Sequence, residues 1–207
     1  MPGGIAYEKS GETHLFRLDP HQKRIELLLA ADYSASALSA DQFRDKSGAQ
    51  LVINGGFFDE RSRSLGLIVR KGQQLNPLRR ADWGIFQLKA GIPTILHRQQ
   101  WSRDGVEMAL QVGPRLVIDG SIPPFKPEAE LHRRSAIGIT PEGWIVIALS
   151  DRPIAIHSWA ELLQKASRNA LNLDGGGSSQ ISVKLDTFSL NLPGTTAVPN
   201  AVAVFAK

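Results

Sequence analysis

The segment Leu171–Ser179 constrains the fold and the function of this chain more than any other. A short apolar run ends there in the carboxylate Asp174, and the three glycines Gly175–Gly177 and the hydroxyls of Ser178 and Ser179 follow. Glycines adopt positive φ and let a ligand approach the backbone, and successive N–H groups in such a turn form a concave anion site. The segment predicts a strand that ends at a binding site with Asp174 at its mouth, with an ordinary flexible turn as the alternative.

A second apolar strand runs into glycine within Leu51–Asp59. Asn54 offers an amide that can donate and accept hydrogen bonds, and Asp59 offers a second carboxylate. If this strand neighbours the strand before Asp174, both turns open on the same rim of the sheet. A bulge or close packing explains Gly55–Gly56 equally well.

Two arginines are the strongest candidates for anion binding. Arg115 follows Gly113-Pro114, and Arg134 precedes the apolar stretch Ser135–Ile139. Guanidinium groups pair bidentately with phosphate oxygens, although a solvated surface position is the alternative for each arginine. We expect Arg133, next to Arg134, to be solvated.

Composition and motifs exclude several function classes. The 207 residues are 42% hydrophobic, which is enough for one domain spanning residues 1–207, and no apolar run reaches the ~18 residues of a membrane span. Basic residues are dispersed, which argues against a nucleic-acid partner. The five histidines lack metal-ligand spacing, so we expect no required cofactor, while a bound divalent cation stays an open alternative. The P-loop, nucleophile-elbow and Rossmann signatures are absent.

The hydrophobic pattern predicts an α+β fold with mostly antiparallel, mixed sheets and about three scattered helices. The helices are expected from Ala40, from Asp104 with a cap at Glu107, and from Ser158. A hairpin is expected from Ser135–Ile139 and Trp144–Leu149, and a surface loop at Ile122–Pro127. The remaining predicted strands are Thr13–Leu18, Arg24–Leu29, Leu51–Ile53, Leu67–Val69, Ile85–Leu88, Ile95–His97, Leu116–Ile118, Ile181–Lys184 and Ala201–Phe205.

Taken together, these residues resemble the phosphodiester glycosidase family, which includes the N-acetylglucosamine-1-phosphodiester α-N-acetylglucosaminidases and exported bacterial relatives. The matching elements occur in family order and cover most of the chain. They are Asn54–Asp59, Gly66-Leu67 with Gly72, Gln111–Leu116, Arg134–Gly138, Asn172–Ser179 and Pro199–Ala201. The segment Thr195–Pro199 lacks an arginine often found there in relatives, and the cysteine-rich and membrane-anchoring segments of the animal enzymes are missing. Their particular substrate and their role in lysosomal targeting are therefore not carried over.

The resemblance implies hydrolysis of the anomeric C–O bond of a sugar-1-phosphodiester, with release of sugar and a phosphomonoester. The phosphomonoester is a good leaving group because its remaining proton has a pKa of about 6. The site then needs fixed donors for phosphate more than a strong acid. We expect Asp174 to face the sugar as base or nucleophile, assisted by Asn54 and Asp59. The residues expected to bind substrate are Gly55, Gly56, Arg115, Arg134, Gly175, Gly176, Gly177, Ser178, Ser179 and Asn200.

Two other functions stay open. A non-catalytic module could bind anionic envelope glycans through the same pocket, and a phosphodiesterase could cut the P–O bond instead. The resemblance favours an extracytoplasmic location, periplasmic or secreted, although residues 1–4 carry no signal-peptide pattern, and a cytoplasmic location stays open. The expected partner is a small-molecule or glycan sugar phosphate.

Overall fold

The computed structural model describes residues 3–125 and 130–207, which form sixteen β-strands and two α-helices. The strands are β1 (Ile5–Ser10), β2 (Thr13–Leu18), β3 (Lys23–Leu29), β4 (Leu51–Asn54), β5 (Ile68–Arg70), β6 (Gln73–Asn76), β7 (Gly84–Lys89), β8 (Ile92–His97), β9 (Val106–Val112), β10 (Arg115–Val117), β11 (Ser135–Ile139), β12 (Ile145–Ser150), β13 (Asn169–Asn172), β14 (Ile181–Lys184), β15 (Ser189–Leu192) and β16 (Asn200–Ala206). The helices are α1 (Ala40–Ser47) and α2 (Ile156–Ala166).

The strands form three sheets. The first sheet has six strands in the order β1-β2-β12-β11-β13-β10, the second has the order β15-β14-β4-β16-β3, and the third has the order β6-β5-β9-β7-β8. Every pairing between these described strands is antiparallel. The predicted α+β class with mostly antiparallel sheets is confirmed.

The three sheets enclose one apolar core between their inner faces. Phe16 and Ile137 come from the first sheet, Ile53 from the second, and Phe86 and Leu110 from the third, and all five belong to one buried cluster. Side chains on a strand alternate between the two faces of its sheet. The opposite faces therefore need covers of their own, and α1 and α2 supply two of them.

Helix α1 covers the outer face of the second sheet and has the predicted caps. The side chain of Gln42 accepts a hydrogen bond from the Ser39 N–H at 3.0 Å, as a capping box requires. Gly48 ends the helix at φ +74°, a conformation that suits glycine. Leu38 and Phe43 are both buried in the apolar cluster between α1 and the sheet.

Helix α2 covers the outer face of the first sheet through Trp159, Ala160 and Leu163. It begins at Ile156, two residues before the predicted start at Ser158. The helix therefore lies across strands β10 to β13, and β13 leads directly into the segment Leu173–Ser179.

The helix predicted from Asp104 is wrong. Residues Val106–Val112 form β9, the central strand of the third sheet, between β5 and β7. Ser102 and Asp104 hydrogen-bond each other in the preceding turn, so their polar pattern marks a turn and not a helix cap. All residues of β9 except Glu107 are buried, and a strand covered on both faces lacks the alternation that separates strand from helix.

The predicted hairpin is present as β11 and β12, joined across Thr140–Trp144. Of the predicted loop Ile122–Pro127, residues 122–125 form neither helix nor strand, and residues 126–127 lie outside the described residues. Neither α-helix in the described part of the chain has the length and apolar character needed to cross a membrane.

Candidate functional site

The two strand-then-glycine segments meet at Asp174. Its N–H donates to the Gly55 carbonyl at 3.1 Å, and its own carbonyl accepts from Asn54 Nδ2 at 2.7 Å and from Ser135 Oγ at 3.0 Å. The strands themselves are not neighbours, because β4 lies in the second sheet and β13 in the first. The expected shared rim therefore arises where two sheets converge, and three hydrogen bonds fix the backbone of Asp174 there.

The carboxyl group of Asp174 is partly buried, and burial raises its pKa above the ordinary aspartate value. Hydrogen bonds from the Ser178 side chain and the Gly175 N–H act in the opposite direction and hold the carboxylate in place. When a carboxyl group is harder to ionise, its carboxylate form is a stronger base. Shifts of the pKa by burial are common among catalytic acids and bases.

Asn54 and Asn200 hold the glycine turn after β4. Asn54 Oδ1 accepts from the Gln180 N–H at 3.2 Å, so both ends of its buried amide bind backbone. Asn200 Oδ1 accepts from the Gly56 N–H at 2.7 Å, and a Cβ on Gly55 would lie 2.0 Å from this oxygen. These contacts agree with the close-packing explanation of the glycines and make Asn54 and Asn200 positioning residues.

The N–H and hydroxyl groups of the glycine turn after Asp174 form hydrogen bonds within the protein. The N–H of Gly176 and the hydroxyl of Ser179 both donate to the Arg133 carbonyl, at 2.8 and 3.1 Å. The N–H groups of Ser178 and Ser179 close the turn on the carbonyls of Gly175 and Gly176, each at 3.2 Å. The N–H groups of Gly176, Ser178 and Ser179 therefore stabilise the turn itself, and the binding of an anion by this turn stays a prediction.

Gly176 and Gly177 face different surroundings. Gly176 has φ +61°, and a Cβ at this position would meet no atom within 4 Å, so its surface is open. Gly177 faces Thr195 and Thr196, whose hydroxyl oxygens would lie 2.6 and 2.8 Å from its Cβ. The N–H groups of both threonines donate to the Gly177 carbonyl. Both threonines are exposed.

The arginines before β11 lie beside this turn. Arg134 is buried, 5% exposed, and its Nε donates to the Ile154 carbonyl at 2.9 Å. The Arg133 side chain is 22% exposed, donates to the Pro193 carbonyl at 2.8 Å and lies 3.9 Å from Asp151. The expectation that Arg133 is solvated is wrong, because its carbonyl and guanidinium link the Gly175–Ser179 turn to the Pro193 segment.

Arg115 lies at a different edge of the site, beside an aromatic pair. It pairs with Leu171 across strands β10 and β13, and its guanidinium is 3.9 Å from Asp82. The neighbouring Trp83 contacts the ring of Phe57, with centroids 4.9 Å apart. Phe57 is two residues beyond Gly55, so this aromatic pair borders the turn that holds Asp174.

Asp59 is engaged within its own loop. Its carboxylate accepts from the N–H groups of Arg61 and Arg63, both at 2.9 Å, and from Arg63 Nε at 2.8 Å. These hydrogen bonds, led by the Arg63 side chain, lower its pKa. The geometry gives Asp59 a structural role, and its catalytic role stays a prediction.

Sequence reasoning did not assign a role to Ser135, Gln180 or the side chain of Arg133. Buried Gln180 joins α1 to the site: its Oε1 accepts from the Ala40 N–H at 2.8 Å, and its Nε2 donates to the Thr196 carbonyl at 2.8 Å. The Gln180 signal was present in the sequence, since a polar residue directly precedes the apolar strand β14.

Within the described ranges, no three His, Asp or Glu side chains group closely enough to hold a metal ion. The cofactor-independent reaction stays a prediction.

Comparisons with known proteins add to this geometry. A family model described as phosphodiester glycosidase matches residues 47–205 of the chain. The uncharacterized protein YigE of Escherichia coli (strain K12) is 31% identical over 156 residues, which cover 67% of this chain and 60% of that relative. The chain thus spans less than two thirds of the length of this curated relative.

Solved structures share the fold at low sequence identity. The catalytic domain of zebrafish N-acetylglucosamine-1-phosphodiester alpha-N-acetylglucosaminidase, auto-inhibited by its pro-peptide, matches with a TM-score of 0.74 at 15% identity, over 98% of this chain and 82% of that one. A putative exported protein of Burkholderia pseudomallei K96243 matches with a TM-score of 0.69 at 12% identity, over 93% and 73% of the two chains.

Proposed function

Because the chain belongs to the phosphodiester glycosidase family, we propose that it hydrolyses the anomeric C–O bond of a sugar-1-phosphodiester and releases sugar and a phosphomonoester. The observation that carries the proposal is the Asp174 carboxyl group. It is partly exposed at the junction of two sheets, its backbone is fixed by three hydrogen bonds, and its pKa is raised by burial.

Asp174 is proposed to act as the general base. It accepts a proton from water as the water oxygen bonds to the anomeric carbon, and the C–O bond to phosphate breaks. The electron pair leaves with the phosphomonoester, which needs little protonation because its second pKa is about 6. A raised carboxyl pKa supports the role of base, since basicity grows as the pKa approaches the working pH.

The phosphate is proposed to lie over the open face of Gly176. Arg133 borders this face from one side, and Thr195 and Thr196 border it from the side of Gly177. A guanidinium and two hydroxyls would there donate hydrogen bonds to the phosphate oxygens. Asp174 would then face the sugar, because a carboxylate held against phosphate is repelled.

Asp174→Asn tests the proposal. The substitution keeps the size of the side chain and removes the base, so kcat for sugar release should fall about 10²–10⁴-fold. The substrates are a panel of sugar-1-phosphodiesters that vary in the sugar, and the released sugar is measured directly. Asp104→Asn, at an exposed carboxylate in the turn before β9, is the matched control and should keep the wild-type rate.

Three other results would contradict the proposal. Unchanged kcat in Asp174→Asn removes this residue from the chemistry. Binding of the panel without release of sugar from wild-type protein favours the glycan-binding module. Loss of activity on chelation, with label from water in phosphate, favours a phosphodiesterase.

We also propose an extracytoplasmic location, periplasmic or secreted. The proposal is supported by the fold shared with a putative exported protein of Burkholderia pseudomallei. Fractionation of cells that express the natural gene would place the protein outside the inner membrane, and recovery with cytoplasmic markers would contradict the proposal.

A further inference from the structure

A large cavity lies on the outer face of the first sheet. Its volume is about 690 Å³, within the ~300–1,000 Å³ of typical small-molecule sites. It opens between the C-terminal end of α2, the turn joining β11 to β12, and the turn at Gly120. The side chains that define its wall are Arg17, Glu142, Trp144, Gln164, Lys165 and Arg168.

This cavity is separate from the Asp174 site. Strand β11 reaches the Asp174 site at Ser135, whereas its other end, Ile139, leads into the turn that lines the cavity. Four residue steps at about 3.3 Å place these two ends about 13 Å apart. A ligand in the cavity can therefore be held without entering the proposed active site.

Trp144 is the central feature of the cavity wall. Its large apolar side chain is exposed, with 37% of the residue surface open to solvent. Trp144 and Glu142 also line an adjoining cavity of about 300 Å³, together with His21 and the 61% exposed Ile92. Because Glu142 and Trp144 line both cavities, the two cavities lie next to each other at the indole, and we refer to them together as the groove. Their combined length offers room for a chain longer than one ring.

The polar groups along the groove are planar and mainly cationic. Gln164 donates to the Gly120 carbonyl at 2.8 Å, which fixes its amide at the wall. The lining includes three cations, Arg17, Lys165 and Arg168, against one carboxylate. Arg17 and Arg168 pair with Glu8 at 2.9 Å and Asp119 at 3.3 Å, and such exposed pairs contribute little to stability. An anionic ligand can therefore compete for both guanidinium groups.

We propose that this groove, from Ile92 past Trp144 to Arg168, binds an anionic oligosaccharide. An indole packs against the C–H face of a sugar ring, planar amide and guanidinium groups bond the hydroxyls, and the cations bind the acidic substituents. Glu142, whose pKa is lowered by a hydrogen bond from the Thr140 side chain, would accept hydrogen bonds from the sugar hydroxyls. The groove would hold an extended glycan to the molecule independently of hydrolysis at Asp174.

Titration with hexagalacturonate, a linear acidic oligosaccharide, tests the proposal, with neutral maltohexaose and a hexaglutamate peptide as comparison probes. Calorimetry gives the dissociation constants, and amide NMR shifts locate the site. We expect hexagalacturonate to shift the resonances of Gly120, Gly143 and Ser167. Trp144→Ala should weaken binding at least tenfold, and Arg17→Gln about tenfold. Leu75→Ala, an exposed apolar residue on the third sheet, is the control and should bind as wild type does.

Four outcomes would overturn the proposal. These are equal binding by Trp144→Ala and wild type, equal binding of maltohexaose, equal binding of hexaglutamate, and shifts confined to Gly175–Ser179. Melting curves establish that each variant is folded. If Trp144→Ala does not fold, the binding of hexagalacturonate by Arg17→Gln tests the proposal instead. Trp144→Ala should also hydrolyse a small sugar-1-phosphodiester at the wild-type rate. Failure of the proposed hydrolysis in wild-type protein leaves the binding test intact, so the two proposals fail separately.

Discussion

The turns after β4 and β13 share a sequence pattern but differ in use. In both, an apolar strand ends in a polar residue and then glycines. Gly55 is glycine because Asn200 Oδ1 would lie 2.0 Å from its Cβ. Gly176 is glycine because its φ is +61°, and the space around it is open. The first turn is a buried support, and the second follows the partly buried carboxylate of Asp174.

This difference shows what a glycine run can and cannot indicate. A glycine selected by crowding has a neighbour that tolerates no Cβ, whereas a glycine selected by backbone conformation needs only positive φ. Steric crowding and a positive φ both require glycine, so the sequence alone does not distinguish them. The comparison of the two turns therefore predicts different consequences for the same substitution.

The largest effect on stability is expected for Gly55→Ala. A Cβ there overlaps Asn200 Oδ1 and also approaches the Asn200 backbone, so we expect a loss of about 3 kcal/mol in the free energy of unfolding. Urea denaturation measures this loss. A stability equal to wild type would mean that the turn after β4 is not a packed support, and the comparison would break.

Asn54→Ala is expected to have the next largest effect. It removes one of the two side-chain donors to the Asp174 carbonyl and leaves the Gln180 N–H without its side-chain acceptor, at a cost of about 1–3 kcal/mol. Because Asn54 positions Asp174, kcat should fall while KM for a sugar-1-phosphodiester changes little. Rescue of kcat by Asn54→Asp, which keeps only the acceptor, would contradict this role, since the bond to the Asp174 carbonyl needs a donor.

Gly176→Ala makes the same substitution in the turn after β13. Its cost should be about 1 kcal/mol, from the positive φ alone, because the Cβ meets open space. The same denaturation series measures both alanine variants. A loss as large as that of Gly55→Ala would show that Gly176 is packed after all, and the proposed phosphate face would be lost.

The smallest effect is a change in the pH dependence of stability. The folded-state pKa of Asp174 is raised, so the folded protein binds this proton more tightly than the unfolded chain. Its contribution to stability is present below the ordinary aspartate pKa and is lost as pH rises through the raised value. Asp174→Asn should therefore melt at a higher temperature than wild type at pH 7, with the gain disappearing in acid. Parallel melting curves across this range would contradict the raised pKa.

Local signals in the sequence predicted much of the fold. The capping box at Ser39 and Gln42 and the glycine after α1 placed that helix, because its ends are set by neighbouring residues. The central strand β9 was predicted as a helix, since its almost complete burial on both faces removed the alternating pattern. Whether such a buried segment forms a strand or a helix depends on its position in the tertiary structure, and a local sequence pattern does not contain that position.

For the candidate site, too, the sequence contained the local signals and did not contain the tertiary contacts. The sequence singled out Asp174, Asn54 and the glycine turns. It could not show that Asn54 binds the Asp174 carbonyl or that Arg133 reaches Pro193, because these contacts join residues 120 and 60 positions apart. The sequence also could not show that the Gly176 N–H donates to the distant Arg133 carbonyl, a contact that uses one of the donors expected to bind phosphate.

Hydrolysis in ¹⁸O-labelled water tests the central claim most directly, that Asp174 drives attack of water on the anomeric carbon of a sugar-1-phosphodiester. Mass spectrometry of both products locates the label. We expect one ¹⁸O atom in the released sugar with wild-type protein and almost no labelled sugar with Asp174→Asn. Label in the phosphomonoester, or labelled sugar formed equally fast by the variant, would contradict the claim.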